Sequence, residues 1–295
     1  MKRFISIAAL SAILLTAAAC SDDVSPAQES TQASIAALPQ AIISLSPSHT
    51  EILFAIGAGD QIIAVDDQSN YPEEALAKPH DLSGYEPNVE AIAALKPDLV
   101  IINYDTNDLS GQLGALGIDV WVGLTPTTFD DVYAQIDELG AATGHTEEAT
   151  ALTEQMQTDI DAAVQAVPAL DNPLSYYHEL DNTLYSVTSK TFIGEVYKSF
   201  GLVNVADEAE EGNDYPQLSA EYLVSADPDL IFLADTKCCG ESIDTVSARA
   251  GWDVITAVKN GNVVAIDDDI ASRWGPRVVE FVQAVSAAVV KAAGA

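Results

Sequence analysis

The chain has 295 residues, 48% of them hydrophobic, enough for two modest domains or one large one with a sizeable core. Twelve Lys and Arg stand against 45 Asp and Glu, a formal net charge of −33. So acidic a surface repels nucleic acid and anionic lipid head groups, which excludes a nucleic-acid partner and suits a soluble, self-repelling monomer.

The start reads as a targeting segment. Lys2 and Arg3 precede an apolar run over residues 4–15, and the small residues Thr16-Ala17-Ala18-Ala19 lead into Cys20. That order predicts a lipoprotein signal peptide over residues 1–20, cut so that Cys20 becomes lipidated. The alternative is an ordinary signal peptide with an incidental cysteine. The run falls short of the roughly 20 residues that cross a bilayer, and no second one follows. Membrane contact is therefore expected through a lipid anchor only, on the outer face of the cytoplasmic membrane. Residues 21–39, rich in Ser, Asp, Gln, Ala and Pro, read as a flexible tether.

From Ala41 the text alternates strand and helix. Residues 42–45 predict a strand. Ser46-Pro47-Ser48 then opens a helix, with Ser46 as cap and Pro47 in the first turn, running to Gly57. Strands follow at 61–65, 99–103 and 118–122, with helices at 89–95 and 109–116. This rhythm predicts a parallel or mostly parallel sheet. Residues 128–167 carry almost no strand signal. Thr143-Gly144-His145-Thr146 divides them into two helices, the second long and amphipathic over 147–167. After Pro168 and Pro173 the alternation resumes: strands at 174–177, 184–187 and 263–266, and helices at 191–200, 252–258 and 276–292.

The fold class is thus α/β: two Rossmann-like lobes with mostly parallel sheets, joined by one long interdomain helix. The expected boundaries are 40–143 for the N-terminal lobe, 144–168 for the helix and 169–295 for the C-terminal lobe. A cleft between two lobes is a favoured ligand site.

One phrase is written twice. Residues 88–101 read N-V-E-A-I-A-A-L-K-P-D-L-V-I, and residues 219–232 read S-A-E-Y-L-V-S-A-D-P-D-L-I-F. Each has a capping residue, a Glu two places on, an apolar helix, then Pro-Asp and an apolar strand. The helix dipole alone favours a carboxylate in the first turn by about 0.3–1 kcal/mol, which is one account of Glu90 and Glu221.

The stretch Ile43-Ser44-Leu45-Ser46-Pro47-Ser48-His49-Thr50-Glu51, Ala55-Ile56-Gly57-Ala58-Gly59-Asp60, the twice-written Glu…Pro-Asp-Leu phrase, Gly251-Trp252…Asn260-Gly261-Asn262-Val263 and Trp274-Gly275-Pro276-Arg277 together resemble one family. It is the cobalamin and ferric-siderophore binding proteins of ATP-binding-cassette importers, with interdomain helix and two lobes. The resemblance covers nearly all of the chain from Ala41. It implies a rigid receptor that captures a large ligand between its lobes and docks onto a permease driven by an ATPase. It also implies that Glu90 and Glu221 each meet an Arg cluster on the permease. No cofactor and no catalysis are expected.

Aromatic and apolar walls grip a large corrinoid or chelate. Tyr71, Tyr85, Tyr104 and Tyr177 sit where strands meet loops, and Trp274 lies before the last helix. As a set they predict a lined cleft, although any one of them has ordinary half-burial as its alternative. Outside the signal segment the arginines are Arg249, Arg273 and Arg277. Arg273, beside Trp274, is either a cationic spot for ligand oxygens or the partner of Asp267, Asp268 or Asp269. So little positive charge tilts the ligand toward a nearly neutral corrinoid rather than an anionic ferric siderophore. Cys238-Cys239 is either a vicinal disulfide at the end of a strand or a pair of loop thiols.

Other readings differ in chemistry. A zinc or manganese receptor needs a convergent His and carboxylate set, and His49, His80, His145 and His178 show no paired spacing, so no metal site is assigned. A haem receptor would take His178 or Tyr177 as axial ligand. An extracellular enzyme would show a motif such as His-Glu-x-x-His or Gly-x-Ser-x-Gly, which the chain lacks. A pure adhesion module would have no small-molecule site.

Overall fold

The computed structural model describes residues 38–294. The signal segment, Cys20 and nearly all of the tether lie outside the described residues.

Two sheets of four strands organise the molecule. The first comprises β1 (Ile42–Ser44), β2 (Ile62–Val65), β3 (Leu99–Ile102) and β4 (Asp119–Val122), with α1 (Pro47–Ala55), α2 (Val89–Ala94) and α3 (Leu109–Gly114) between them. Next come α4 (Phe129–Thr143) and α5 (Thr146–Gln165). The second sheet comprises β5 (Ser175–Glu179), β6 (Val203–Asn204), β7 (Leu230–Leu233) and β8 (Val263–Ala265). Its helices are α6 (Phe192–Lys198), α7 (Ala220–Ala226), α8 (Ile243–Ser247), α9 (Thr256–Lys259), α10 (Asp268–Ser272) and the closing α11 (Val278–Ala293).

The strand orders are β2-β1-β3-β4 and β6-β5-β7-β8, the same path drawn twice. Every ladder is parallel. Parallel strands are covered on both faces, and β3 and β7 are accordingly unbroken apolar runs, Leu-Val-Ile-Ile and Leu-Ile-Phe-Leu, buried throughout.

The repeated phrase has a local purpose in each lobe. Asn88 caps α2 by accepting from the Ala91 N–H at 3.0 Å, and Ser219 caps α7 by accepting from Tyr222 at 3.1 Å. The aspartate of each Pro-Asp then ties down the entry of the first strand of its own sheet. Asp98 accepts from the backbone N–H groups of Gln40 and Ala41, and Asp229 from the N–H and hydroxyl of Ser175. These bonds satisfy backbone donors at the entry of each inner strand.

The middle layer fuses the lobes. A capping box at Thr128 and Asp131 starts α4. Gly144, at φ +83°, ends it in the left-handed region that glycine adopts without a Cβ clash. Helix α5 packs against α4 on one side and α11 on the other, and the Ser286 hydroxyl donates to the Ala163 carbonyl at 2.6 Å. One apolar cluster runs from Ile42 and Ile52 through Ile136, Met156 and Ile160 to Tyr176, Phe232 and Phe281. The lobes therefore share a core.

Two expected elements differ. Residues 184–187 form no strand, only a single bridge between Tyr185 and Gln217. The Asp181 carboxylate accepts from the Thr183 N–H and hydroxyl, and the turn it closes leaves Leu184 at φ +69°, which breaks an extended run. The helix expected over 252–258 is two pieces, a 3₁₀ turn (Trp252–Val254) and α9. They part at Ile255, where the chain is extended and Asp227 accepts from the Thr256 N–H and hydroxyl instead.

Candidate ligand cleft and docking surface

Because all strands are parallel, the loops after β1, β2, β3 and β4 leave the first sheet on one side, as do those after β5, β7 and β8 in the second. Ligands of open α/β sheets bind outside these carboxyl ends. The two loop sets meet. Asn70 donates to Asp269 at 3.1 Å, and the Trp274 N–H donates to the Ser48 hydroxyl at 3.3 Å.

Between these contacts lies a buried charge cluster. The Glu51 side chain, on α1, is 1% exposed. It accepts from Arg273 Nη1 at 2.9 Å and from Arg277 Nε and Nη2 at 2.9 and 2.5 Å. Arg273 also donates to the Gln68 carbonyl, the Asn70 amide oxygen and Asp269, and the Arg277 guanidinium sits 4.2 Å from the centre of the Tyr71 ring. Burial opposes the charge on Arg277, but the bonds to Glu51, helped by Asp269 and Asp267, raise its pKa above the ordinary arginine value. Arg273 is thus part of a clasp between lobes rather than a cationic spot for ligand. Trp274 is half-buried beside it, its ring edge-on to His49 at 6.0 Å. Burial, partly offset by a bond to Gln135, lowers the His49 pKa to about 4 and keeps that ring neutral.

The tyrosines divide. Tyr85 is 77% exposed, and Tyr71 and Tyr104 are about half-exposed, all on loops at strand ends of the first sheet. The Tyr104 and Thr125 hydroxyls are 2.7 Å apart. Tyr177 is fully buried, packed edge-on against Trp252 in the second lobe's core, so it cannot be a cleft wall. The reason lies in β5, a strand covered on both faces, where position along the strand says nothing about exposure. His178, one residue on, is also sealed: its Nδ1 is 2.7 Å from the Tyr197 hydroxyl, and burial lowers its pKa to about 3. Neither haem-ligand candidate reaches an open face.

The second lobe offers instead two tyrosines that sequence reasoning passed over, Tyr185 and Tyr215, 40% and 47% exposed. Burial first, then nearby Tyr104 and Asp214, raise the Tyr215 phenol. A signal existed: Asp214-Tyr215-Pro216 echoes Asn70-Tyr71-Pro72.

Cys238 and Cys239 are free thiols, so the vicinal bridge is not formed. Their loop is held by Asp268, which accepts from the Thr236 hydroxyl and the Lys237 and Cys238 N–H groups. Burial, Cys239, and then Asp268 and Asp235 push the Cys238 thiol up to about 12. Lys237 pairs with Asp267 and Asp269.

Glu90 and Glu221 are exposed, each in the first turn of its helix. Helices α2 and α7 precede β3 and β7 in parallel sheets, so they run back antiparallel to them. Their N-termini, and both carboxylates, therefore lie on the side where the strand-end loops emerge, one on each lobe. A separate groove of about 970 Å³ lies on the flank between α1, α5 and α11, with Phe54, Leu152 and Met156 in its lining. Tyr71 reaches its edge, but the other exposed cleft tyrosines do not.

Comparison with known proteins places this geometry. The family described as periplasmic binding protein matches residues 42–270. The chain is 30% identical over 259 residues to YvrC, an ABC transporter substrate-binding lipoprotein of Bacillus subtilis, covering 85% of this chain and 80% of that one. It is 32% identical over 277 residues to a cobalamin-binding protein of Halobacterium salinarum, covering 89% and 73%. The crystal structure of the periplasmic vitamin B12 binding protein BtuF of Vibrio cholerae aligns with a TM-score of 0.71 at 27% identity, over 86% of this chain and 98% of that one.

Proposed function

We propose, from the premise that this chain belongs to the periplasmic binding protein family, that it captures a corrinoid of the cobalamin type between its lobes and delivers it to an importer. It is a substrate-binding protein of an ABC importer, a class that works with a permease and its ATPase. The ligand rests on one observation: both lobes carry exposed tyrosines on loops that follow strands, while every arginine of the described residues is already bonded to a carboxylate. Aromatic faces without a free arginine suit a large, nearly neutral ligand better than an anionic ferric siderophore.

Glu90 and Glu221 are the docking contacts in this reading. Two exposed carboxylates on one face, one per lobe, fix register and steer encounter with basic patches of a permease more than they add affinity. Lipid at Cys20 would hold the receptor at the membrane as a monomer on a tether.

Calorimetric titration of the domain from Leu38 onward with cyanocobalamin tests the ligand. Saturable one-to-one binding, weakened about tenfold or more by Tyr215→Ala, is expected. Binding of a ferric siderophore or haem with none of cobalamin overturns the corrinoid assignment. For docking, Glu90→Ala with Glu221→Ala should leave ligand affinity unchanged and reduce uptake; normal uptake by the double variant refutes the assignment.

A further inference from the structure

At the carboxyl ends of β5 and β7 lies a second cluster of charged groups, separate from the Glu51 clasp and not used by the functional reading above. Glu179, the last residue of β5, is fully buried and takes both guanidinium nitrogens of Arg249 at 2.5 and 2.6 Å. Glu241 takes the same guanidinium at 2.9 Å, and Arg249 stacks over the buried Trp252 at 4.6 Å. Asp235, two residues past the end of β7, is also fully buried, yet no N–H or O–H donor reaches either of its oxygens. The neighbouring group whose charge acts most strongly on Asp235 is another carboxylate, Glu179.

The charge count does not close. Three carboxylates, Glu179, Asp235 and Glu241, surround one guanidinium. An ionised carboxylate with no donor in a buried site is among the costliest arrangements a protein can hold, and such a group neutralises instead. Two neighbouring carboxyl groups solve the problem when one of them holds a proton. A proton on the carboxyl that lacks a donor, Asp235, balances the count.

We propose that Asp235 carries a proton in the closed loop and turns it toward Glu179, and that this proton latches the loop over residues 235–242 onto the second lobe's side of the cleft. The Asp235 carbonyl accepts from the Cys239 and Glu241 N–H groups at 3.2 and 3.3 Å, so the loop folds around this residue. The groups that face Asp235 are Glu179 and Tyr177 on β5, Glu241 and Cys238 in the loop, and Arg249 after α8. Burial, then Glu179 and Glu241, push its carboxyl up to about 7 against the pull of Arg249. Losing the proton leaves two neighbouring buried negative charges, and the loop carrying Lys237, Cys238 and Cys239 opens. The latch does not depend on which ligand the cleft takes.

The sign follows from linkage. A carboxyl whose folded value is raised stabilises the closed loop below the ordinary aspartate range and loses that contribution as pH rises to its folded value. The test is hydrogen exchange of the amides over residues 236–241, corrected for intrinsic rate, at several pH values from about 4.5 to about 8. In the unmodified domain the opening constant should rise about tenfold per pH unit up to about 7 and then level off. In Asp235→Asn, which keeps the shape and donates to Glu179 without a titrating proton, it should stay flat. Should Asn be poorly tolerated, the infrared band of a protonated carboxylic acid, present in the unmodified domain at about pH 6 and lost as pH passes 7, reads the same proton. Parallel pH profiles for the two proteins, or no protonated carboxyl at about pH 6, overturn the latch. So does loop protection that follows added calcium or sodium at constant pH, because a metal cation would then supply the charge.

Discussion

Replacing Glu51 is the sharpest test of how the lobes are held. In Glu51→Ala the carboxylate that accepts three N–H bonds disappears, and two guanidiniums, whose side chains are 9% and 13% exposed, remain at the lobe interface. Removing one partner of a buried ion pair costs about 3–5 kcal/mol, because the orphaned charge stays desolvated. Arg273 keeps Asp269, Asn70 and the Gln68 carbonyl, and Arg277 keeps the Tyr71 ring, so the loss should fall at the lower end, about 3 kcal/mol. In a domain of this size each kcal/mol moves the melting temperature by about 2–4 °C, giving a fall of about 6–12 °C. Glu51→Gln, which keeps one acceptor oxygen, should lose less. Thermal melts at fixed salt read both. A melting temperature for Glu51→Ala within about 2 °C of the unmodified protein would mean that the clasp holds nothing, and the rigidity would have to come from α5 and α11 alone.

Three further outcomes are expected. With a formal charge of −33 the folded chain repels itself, so raising sodium chloride from about 0.1 to about 1 M, where the screening length falls from about 10 to about 3 Å, should raise the melting temperature; a fall would show that surface ion pairs dominate. Asp98→Ala and Asp229→Ala should each cost about 1–3 kcal/mol by leaving strand-entry N–H groups unpaired, and denaturant melts should show similar losses for both because the two phrases do the same job. His178 is neutral when folded, with its pKa lowered by burial to about 3, so the unfolded chain takes up a proton there first. Stability from this group is present above about pH 6.5 and lost as pH falls toward 3, and a Phe at position 178 should flatten that part of the acid melting profile.

Legibility tracked how local each cause is. The alternation of β3 and β7 with their helices, the caps at Asn88 and Ser219 and the break at Gly144 are each written within a few adjacent residues, and the elements they imply are present. The failures have distant or hidden causes. Nothing near Tyr177 says that β5 is covered on both faces. Nothing near Arg273 or Arg277 points to Glu51, more than 200 positions earlier. An apolar run at 184–187 reads as a strand until the Asp181 turn is seen to hold Leu184 in the left-handed region. Tyr215 was legible only to a reader who saw that its Asp-Tyr-Pro repeats the pattern around Tyr71.

The clasp and the proposed docking carboxylates Glu90 and Glu221 bear on each other. A receptor that engages a permease through one point on each lobe gains from two simultaneous contacts only if the distance between them is fixed, because contacts on freely moving bodies each pay their own ordering entropy. Here the lobes share a core through α4, α5 and α11, and the Glu51 cluster ties them again at the strand-end side, the side on which Glu90 and Glu221 sit. Loosening that tie should harm a two-point engagement before it harms ligand binding. On the proposed function, Glu51→Gln is therefore expected to keep most of its corrinoid affinity while permease-dependent uptake falls, and uptake in the Glu90→Ala background, where one proposed contact is missing, should be less sensitive to it. Equal fractional losses of uptake in the two backgrounds would show that the clasp and the docking points act independently, and that lobe spacing plays no part in delivery.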